Sequence, residues 1–88
     1  LHLPELVYWA SLGEVAEVEK SLANGVDVNQ TDEEGYSALH AAAENGYLDV
    51  VKLLVEKGAD VQHKTQYTAL ELAEMAGNED VIIYLKSL

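Results

Sequence analysis

The sequence repeats itself at a spacing of 33 residues, and that property leaves few architectures open. Gly13 returns as Gly46, Leu6 as Leu39, Val18 as Val51, and the run Gly25-Val26-Asp27-Val28 as Gly58-Ala59-Asp60-Val61. A third copy follows at a spacing of 31, with Leu39 mapping to Leu70, Ala42 to Ala73 and Gly46 to Gly77. Two residues are therefore lost between Asp60 and Tyr67. A unit this short cannot bury its own apolar face, so the copies must stack and share one core. The expected organisation is a single domain over residues 1–88, with copies at about 4–30, 31–63 and 64–88.

Within the middle copy, the small-residue run from Ser37 to Asn45 ends at Gly46. The segment from Leu48 to Lys57 follows, with apolar side chains at 48, 50, 51, 53, 54 and 55 before Gly58. This spacing predicts two antiparallel helices joined by a tight turn. Ala41, Ala42 and Ala43 make the first helix narrow, whereas Val and Leu make the second wide, and such wedge-shaped pairs stack with curvature. Helix ends are legible too. Pro4 suits a first helical position, Ser37 and Thr68 are N-cap candidates, Thr68 and Glu71 have capping-box spacing, and Gly25 and Gly58 stop the second helices. Between pairs, VDVNQTDEEGYS is too polar and too rich in turn formers to remain helical, which predicts a projecting hairpin finger. The fold class is all-α.

Composition agrees. The chain has no Phe and six aromatic residues, so its core must be built from Ala, Val and Leu, which favours close-packed helices over a sandwich. Sixteen acidic residues stand against five lysines and no arginine, for a net charge of -11. A phosphate backbone needs clustered cations, and the lysines are spread from Lys20 to Lys86, so nucleic acid is a poor partner. The same field attracts basic proteins and peptides. The absence of cysteine removes disulfides and thiolate chemistry and favours an intracellular home, cytoplasm or nucleus. Apolar runs such as VVKLLV fall far short of a membrane span, and no signal-peptide pattern opens the chain. Entry at Leu1 without Met is the expectation for an excised domain, a processed chain or a trimmed one.

No catalytic set assembles. His2, His40 and His63 lack zinc spacing, and Ser37 beside His40 reads as a helix cap rather than a nucleophile. Acid–base chemistry needs a carboxylate shifted by a cleft, which a three-copy stack does not enclose. Asp32, Glu33, Glu34 and Gly35 lack the alternating ligands of a calcium loop. The six glycines fall at helix ends and finger turns rather than in a phosphate cradle. The expectation is a non-enzyme with no metal and no cofactor.

The run GYSALHAAAENGYLDVVKLLVEKGADV is similar to the core pattern of the ankyrin repeat family, in which a Thr-Pro-Leu-His tetrad opens the first helix. Ser37, Ala38, Leu39 and His40 occupy that tetrad in the middle copy, and Thr68, Ala69, Leu70 and Glu71 in the third. Both lack the proline, and the third also lacks the histidine. The likeness covers essentially the whole chain and implies a solenoid of stacked antiparallel helix pairs joined by projecting hairpin loops. It implies that His40 bonds the adjoining turn and that Asn29 holds a place where family members can be hydroxylated. The first copy begins without a finger and carries Trp9 where the others have Ala42 and Ala73, as a cap covering its open face would. In the last copy Ile83 takes the exposed place of Lys52.

The resemblance also implies where binding happens: on the concave side, made of finger tips and the exposed edge of the first helices. Alignment assigns Thr31, Glu33, Glu34 and Tyr36 to the first finger, Glu44, Asn45 and Tyr47 to the middle helix, and Lys64, Gln66 and Tyr67 to the second finger. Tyrosine supplies rigid amphipathic contact area, and the alternative for Tyr36 and Tyr67 is packing against their own fingers. The acidic side chains on this face lead to the expectation of a protein-interaction module that holds a Lys/Arg-rich segment of another protein. The competing expectation is a structural scaffold, or a fragment of a longer array, that self-associates through its ends at Trp9 and Ile83. Neither expectation involves nucleic acid or membrane.

Overall fold

The computed structural model describes residues 3–88, so His2 lies outside the described residues. Six helices form three pairs: α1 (Glu5–Leu12) with α2 (Val15–Ala23), α3 (Ala38–Asn45) with α4 (Leu48–Glu56), and α5 (Ala69–Ala76) with α6 (Glu79–Lys86). The inner helices α1, α3 and α5 pack tightly in a row, while α2, α4 and α6 form a looser outer row. The reason lies in side-chain size. Ala38, Ala41, Ala42 and Ala43 are fully buried, so the backbone of α3 can approach both neighbours. Leu6, Val18, Val50, Val51, Leu54 and Val81, also fully buried, fill the wider space within and between pairs.

The expected caps are present. The Ser37 hydroxyl accepts the His40 amide at 3.3 Å, and the His40 ring takes the Ser37 amide at 3.4 Å. In the third copy, the Thr68 hydroxyl accepts the Glu71 amide at 3.2 Å and Glu71 returns a bond to the Thr68 amide at 2.9 Å. Each box satisfies two amides that the first helical turn would otherwise leave unpaired. Helices α2 and α4 stop just before Gly25 and Gly58. Pro4 stands one place earlier than expected: α1 starts at Glu5, and Pro4 is the N-cap residue with extended ψ of 146°.

Two finger hairpins are pinned by antiparallel bridges, Thr31 with Ser37 and Lys64 with Thr68. Five residues lie between the bridged pair in the first finger and three in the second, which is where the two lost residues went. The described ends differ chemically from the middle. Val50 and Leu54, fully buried in α4, are matched in α2 by Glu17 and Ser21. Ala43, fully buried, is matched in α5 by Glu74, which pairs with Lys86 at 3.6 Å on an exposed surface. Such an exposed pair adds at most about 1 kcal/mol, so it keeps that face wet rather than holding it together. Trp9 is half-buried against the core, with the Tyr8 ring edge-on at 5.1 Å.

The turn between paired helices requires glycine. Gly13 has φ 73°, and a Cβ placed there would come within 2.8 Å of the Tyr47 ring, which lies over it from the next copy. We therefore expect Gly13→Ala to cost about 1–3 kcal/mol in urea unfolding, combining the left-handed penalty with the contact. In a Tyr47→Ala background the contact disappears and only the backbone part of the cost should remain. Equal costs in both backgrounds would show that the ring does not press on the turn.

Candidate protein-binding surface

The first finger is shaped by one carboxylate. Asp32 Oδ1 accepts the amides of Glu34 at 2.9 Å and Tyr36 at 3.0 Å, while the Gly35 amide closes a turn onto the Asp32 carbonyl at 3.1 Å. This arrangement leaves Glu33 and Glu34 exposed at the tip. Tyr36, just before the cap of α3, extends along that helix until its hydroxyl donates to Glu44 Oε1 at 2.5 Å. On the way its ring passes 5.9 Å from that of His40. Tyr36, His40 and Glu44 thus form one stripe at four-residue intervals, the spacing at which helical side chains share a face.

Burial, then the bond to Glu44, then the negative charges of Glu44 and Asp32 hold the Tyr36 phenol well above its usual ionisation range. Ionisation would remove the proton that Glu44 accepts and place two anions together. The folded state therefore holds this proton more firmly than the unfolded chain, and stability present below about pH 10 is lost as the pH rises above it. In a spectrophotometric alkaline titration, one phenol should ionise only as the fold opens, and Tyr36→Phe should remove that late phase. Its persistence in the variant would assign it elsewhere.

His40, 1% exposed, fastens the fingers to the helices. Its Nδ1 faces the Ser37 hydroxyl at 2.7 Å and accepts from it, which leaves the proton on Nε2 to donate to the Tyr67 carbonyl at 3.1 Å. This is the bond to an adjoining turn that the tetrad implied. His63 makes a second tie: Nε2 donates to the Gly35 carbonyl at 2.8 Å, with its ring edge-on to His40 at 5.5 Å. A third comes from Asn29, whose Oδ1 accepts the Asp60 amide at 2.8 Å. Successive fingers are thereby held in fixed register. In the third copy Glu71 replaces His40; it is exposed, and its bonds to Thr68 hold its carboxyl below the usual range.

The ten residues assigned to the face do not form one patch. Glu34, Lys64 and Gln66, with Thr65, line a shallow depression between the two fingers. Glu33 stands beside it at the tip, and Tyr67 is 39% exposed at the base of the second finger. Tyr36 and Glu44 are joined to each other, so the Tyr36 hydroxyl is already committed. Thr31 is half-buried in its bridge. Asn45 and Tyr47 point the other way along the stack: Asn45 Nδ2 donates to the Ser11 carbonyl at 3.2 Å, and Tyr47 covers Gly13. Both lie at the far end of α3 from its finger.

The exposed side chains of the inner row outside that assignment include Tyr8 and Leu12 of α1 and Glu71, Glu74 and Met75 of α5. Met75 of α5 is 64% exposed and stands, at the 31-residue spacing, where α3 carries Glu44. The repeat register would have found it. Among the described residues, no group of three or more His, Cys, Asp or Glu side chains is placed to hold a metal ion, and no helix is long and apolar enough to cross a membrane.

Comparison with known proteins agrees with this architecture. The family model for ankyrin repeats, in three copies, matches residues 6–87. The chain is 40% identical over 87 residues to alpha-latrocrustotoxin-Lt1a of Latrodectus tredecimguttatus, a match covering 97% of this chain and 6% of the toxin. It is 40% identical over 63 residues to an ankyrin repeat-containing protein of Schizosaccharomyces pombe, covering 72% of this chain and 30% of that protein. It is 35% identical over 79 residues to the human Notch-regulated ankyrin repeat-containing protein, covering 83% of this chain and 69% of the relative. The chain therefore spans only a minor part of the first two relatives. Three registered helix pairs, finger hairpins tied by His40, His63 and Asn29, and the match over nearly the whole length show that the chain belongs to the ankyrin repeat family, whose repeats generally mediate protein–protein interaction.

Proposed function

We propose that this module, a non-enzyme, holds a Lys/Arg-rich segment of another protein against its fingers and the exposed edge of α3. The observation that carries this reading is the sign of the face: Glu33, Glu34 and Glu44 are exposed, against Lys64 alone among the assigned residues. Their field adds to the global charge of -11 and raises the rate at which a basic segment arrives. Tyr67, and the half-buried face of Tyr36, supply apolar area that slows departure. The setting we propose is intracellular, cytosolic or nuclear, from the absence of cysteine.

Capture of protein partners at low and at high salt tests this. Capture should weaken as salt screens the acidic face, and should weaken again in a variant carrying Glu33→Ala, Glu34→Ala and Tyr36→Ala. Salt-insensitive capture, or undiminished capture by that variant, would overturn the reading.

A second reading, a scaffold that self-associates through its ends, draws on Ile83. That side chain is 66% exposed on the outer row, beside a depression lined by Leu48, Lys52, Asp80, Tyr84 and Ser87. Sedimentation that shows a monomer at high protein concentration would remove it.

A further inference from the structure

The binding face changes chemistry from one copy to the next, and the repeat register makes the change readable. Tyr36 and Tyr67 occupy the same position in successive copies, as do Glu44 and Met75. In the second copy the tyrosine hydroxyl is bonded to the carboxylate, so that step of the face presents a ring edge and an anion. In the third copy the place of the carboxylate is taken by a thioether, which is only a weak acceptor. That step presents the Tyr67 ring, 39% exposed, and Met75, 64% exposed. Methionine is unbranched and polarizable and adapts to whatever apolar shape lies against it. Of the two carboxylates that α5 carries, Glu71 is committed to the Thr68 amide and hydroxyl and Glu74 is paired with Lys86, while Lys64 adds a positive charge at the second finger.

Resting on the reading that the partner is a basic segment bound at this face, we infer that the segment is not uniformly basic. It places a cationic side chain over Glu44 and a large apolar side chain over Met75, one helix-to-helix step apart. Packed helices lie about 8–10 Å apart, and a polyproline II segment, with three residues per turn and about 3.1 Å per residue, returns every third side chain to the same face about 9 Å further on, so in such a segment the two side chains are three residues apart. The cation meets the carboxylate and ring edge of the second copy. The apolar group removes Met75 and Tyr67 from water, which a second cation in that place would not do.

Fluorescence anisotropy with labelled Gly/Ser peptides tests the inference on the intact chain. One peptide pair carries arginine and leucine three positions apart, in either order. A control carries the same two residues adjacent, another carries two arginines three positions apart, and a blank carries neither. The spaced arginine–leucine peptide, in one of its two orders, should bind about fivefold more tightly than the two-arginine and adjacent peptides. Met75→Glu should reverse that preference toward the two-arginine peptide, and Met75→Ala should abolish it. Because Met75 is largely exposed, circular dichroism should show both variants folded. If the two-arginine or adjacent peptide binds native protein at least as well, or if Met75→Glu leaves the preference unchanged, the inference is overturned while the basic-segment reading stands. If no arginine peptide binds better than the blank, both fall.

Discussion

Leu54→Ala should lower the free energy of unfolding by about 2–5 kcal/mol, the range seen when a fully buried leucine is cut back in a core that closes only partly around the gap. Leu54 is 0% exposed in α4, the outer helix of the only copy with a neighbour on each side among the described residues. In a stacked array, stability is close to a sum of each copy's own terms and its nearest-neighbour interfaces. Loosening the middle copy therefore weakens both interfaces together. The repeat supplies its own control, because Leu85 holds the same position in the third copy, is 9% exposed and has a neighbour on one side. Leu85→Ala should cost measurably less. Urea unfolding followed by Trp9 fluorescence and by far-ultraviolet circular dichroism reads both variants. A larger loss from Leu85→Ala than from Leu54→Ala would contradict the shared-core account.

His40→Ala should cost about 2–4 kcal/mol, for two separate reasons. Removing a fully buried ring leaves a cavity, and it also takes from the Tyr67 carbonyl the donor that reaches it from α3, and from Ser37 half of its capping box. The loss should be accompanied by earlier exchange of the second-finger amides, since that finger is held to α3 through this ring. The pH dependence follows from the same site. Burial, the largest cause, lowers the imidazole's pKa from its usual 6.5. Below about pH 6.5 the unfolded chain takes up a proton that the folded ring refuses, so unfolding binds protons and stability falls as the pH drops. The native chain should therefore lose stability on acidification through that window more steeply than His40→Ala. Parallel profiles would show that His40 is not the group responsible.

Much of the fold is legible in the sequence because the copies check one another. Gly13, Gly46 and Gly77 mark the same turn three times, and Ser37 and Thr68 mark the same cap twice, so local signals that would be weak alone agree in register. Even the lost residues between Asp60 and Tyr67 are located, because the finger is the only segment whose shortening leaves the helices in phase. Pro4 shows the limit at a boundary: a proline suits either the first helical position or the one before it, and its sequence context does not separate the two.

The binding face is less legible, for a physical reason. Periodicity tells which side of a helix is wet, but the direction of a long side chain is set by hydrogen bonds across copies. Asn45 and Tyr47 are exposed in part, as alignment implies, yet one bonds the Ser11 carbonyl and the other lies over Gly13. Four-residue spacing puts Tyr36 and Glu44 on one side of α3, but not the bond that spans the eight residues between them and commits both side chains to each other. His63 carries no motif, and its bond to Gly35 joins residues 28 apart in the chain. Met75 is different. It aligns with Glu44 in the repeat register, but a thioether carries neither the charge nor the ring that marks a contact residue in a sequence.

The most direct test of the account is to map, by amide chemical-shift perturbation, where a partner captured at low salt touches the isotope-labelled chain. Perturbation should centre on Glu33 to Tyr36, Glu44, Lys64 to Tyr67 and Met75, and should fade as salt is raised. Perturbation confined to α1 around Trp9, or to α6 around Ile83, and unchanged by salt, would contradict it.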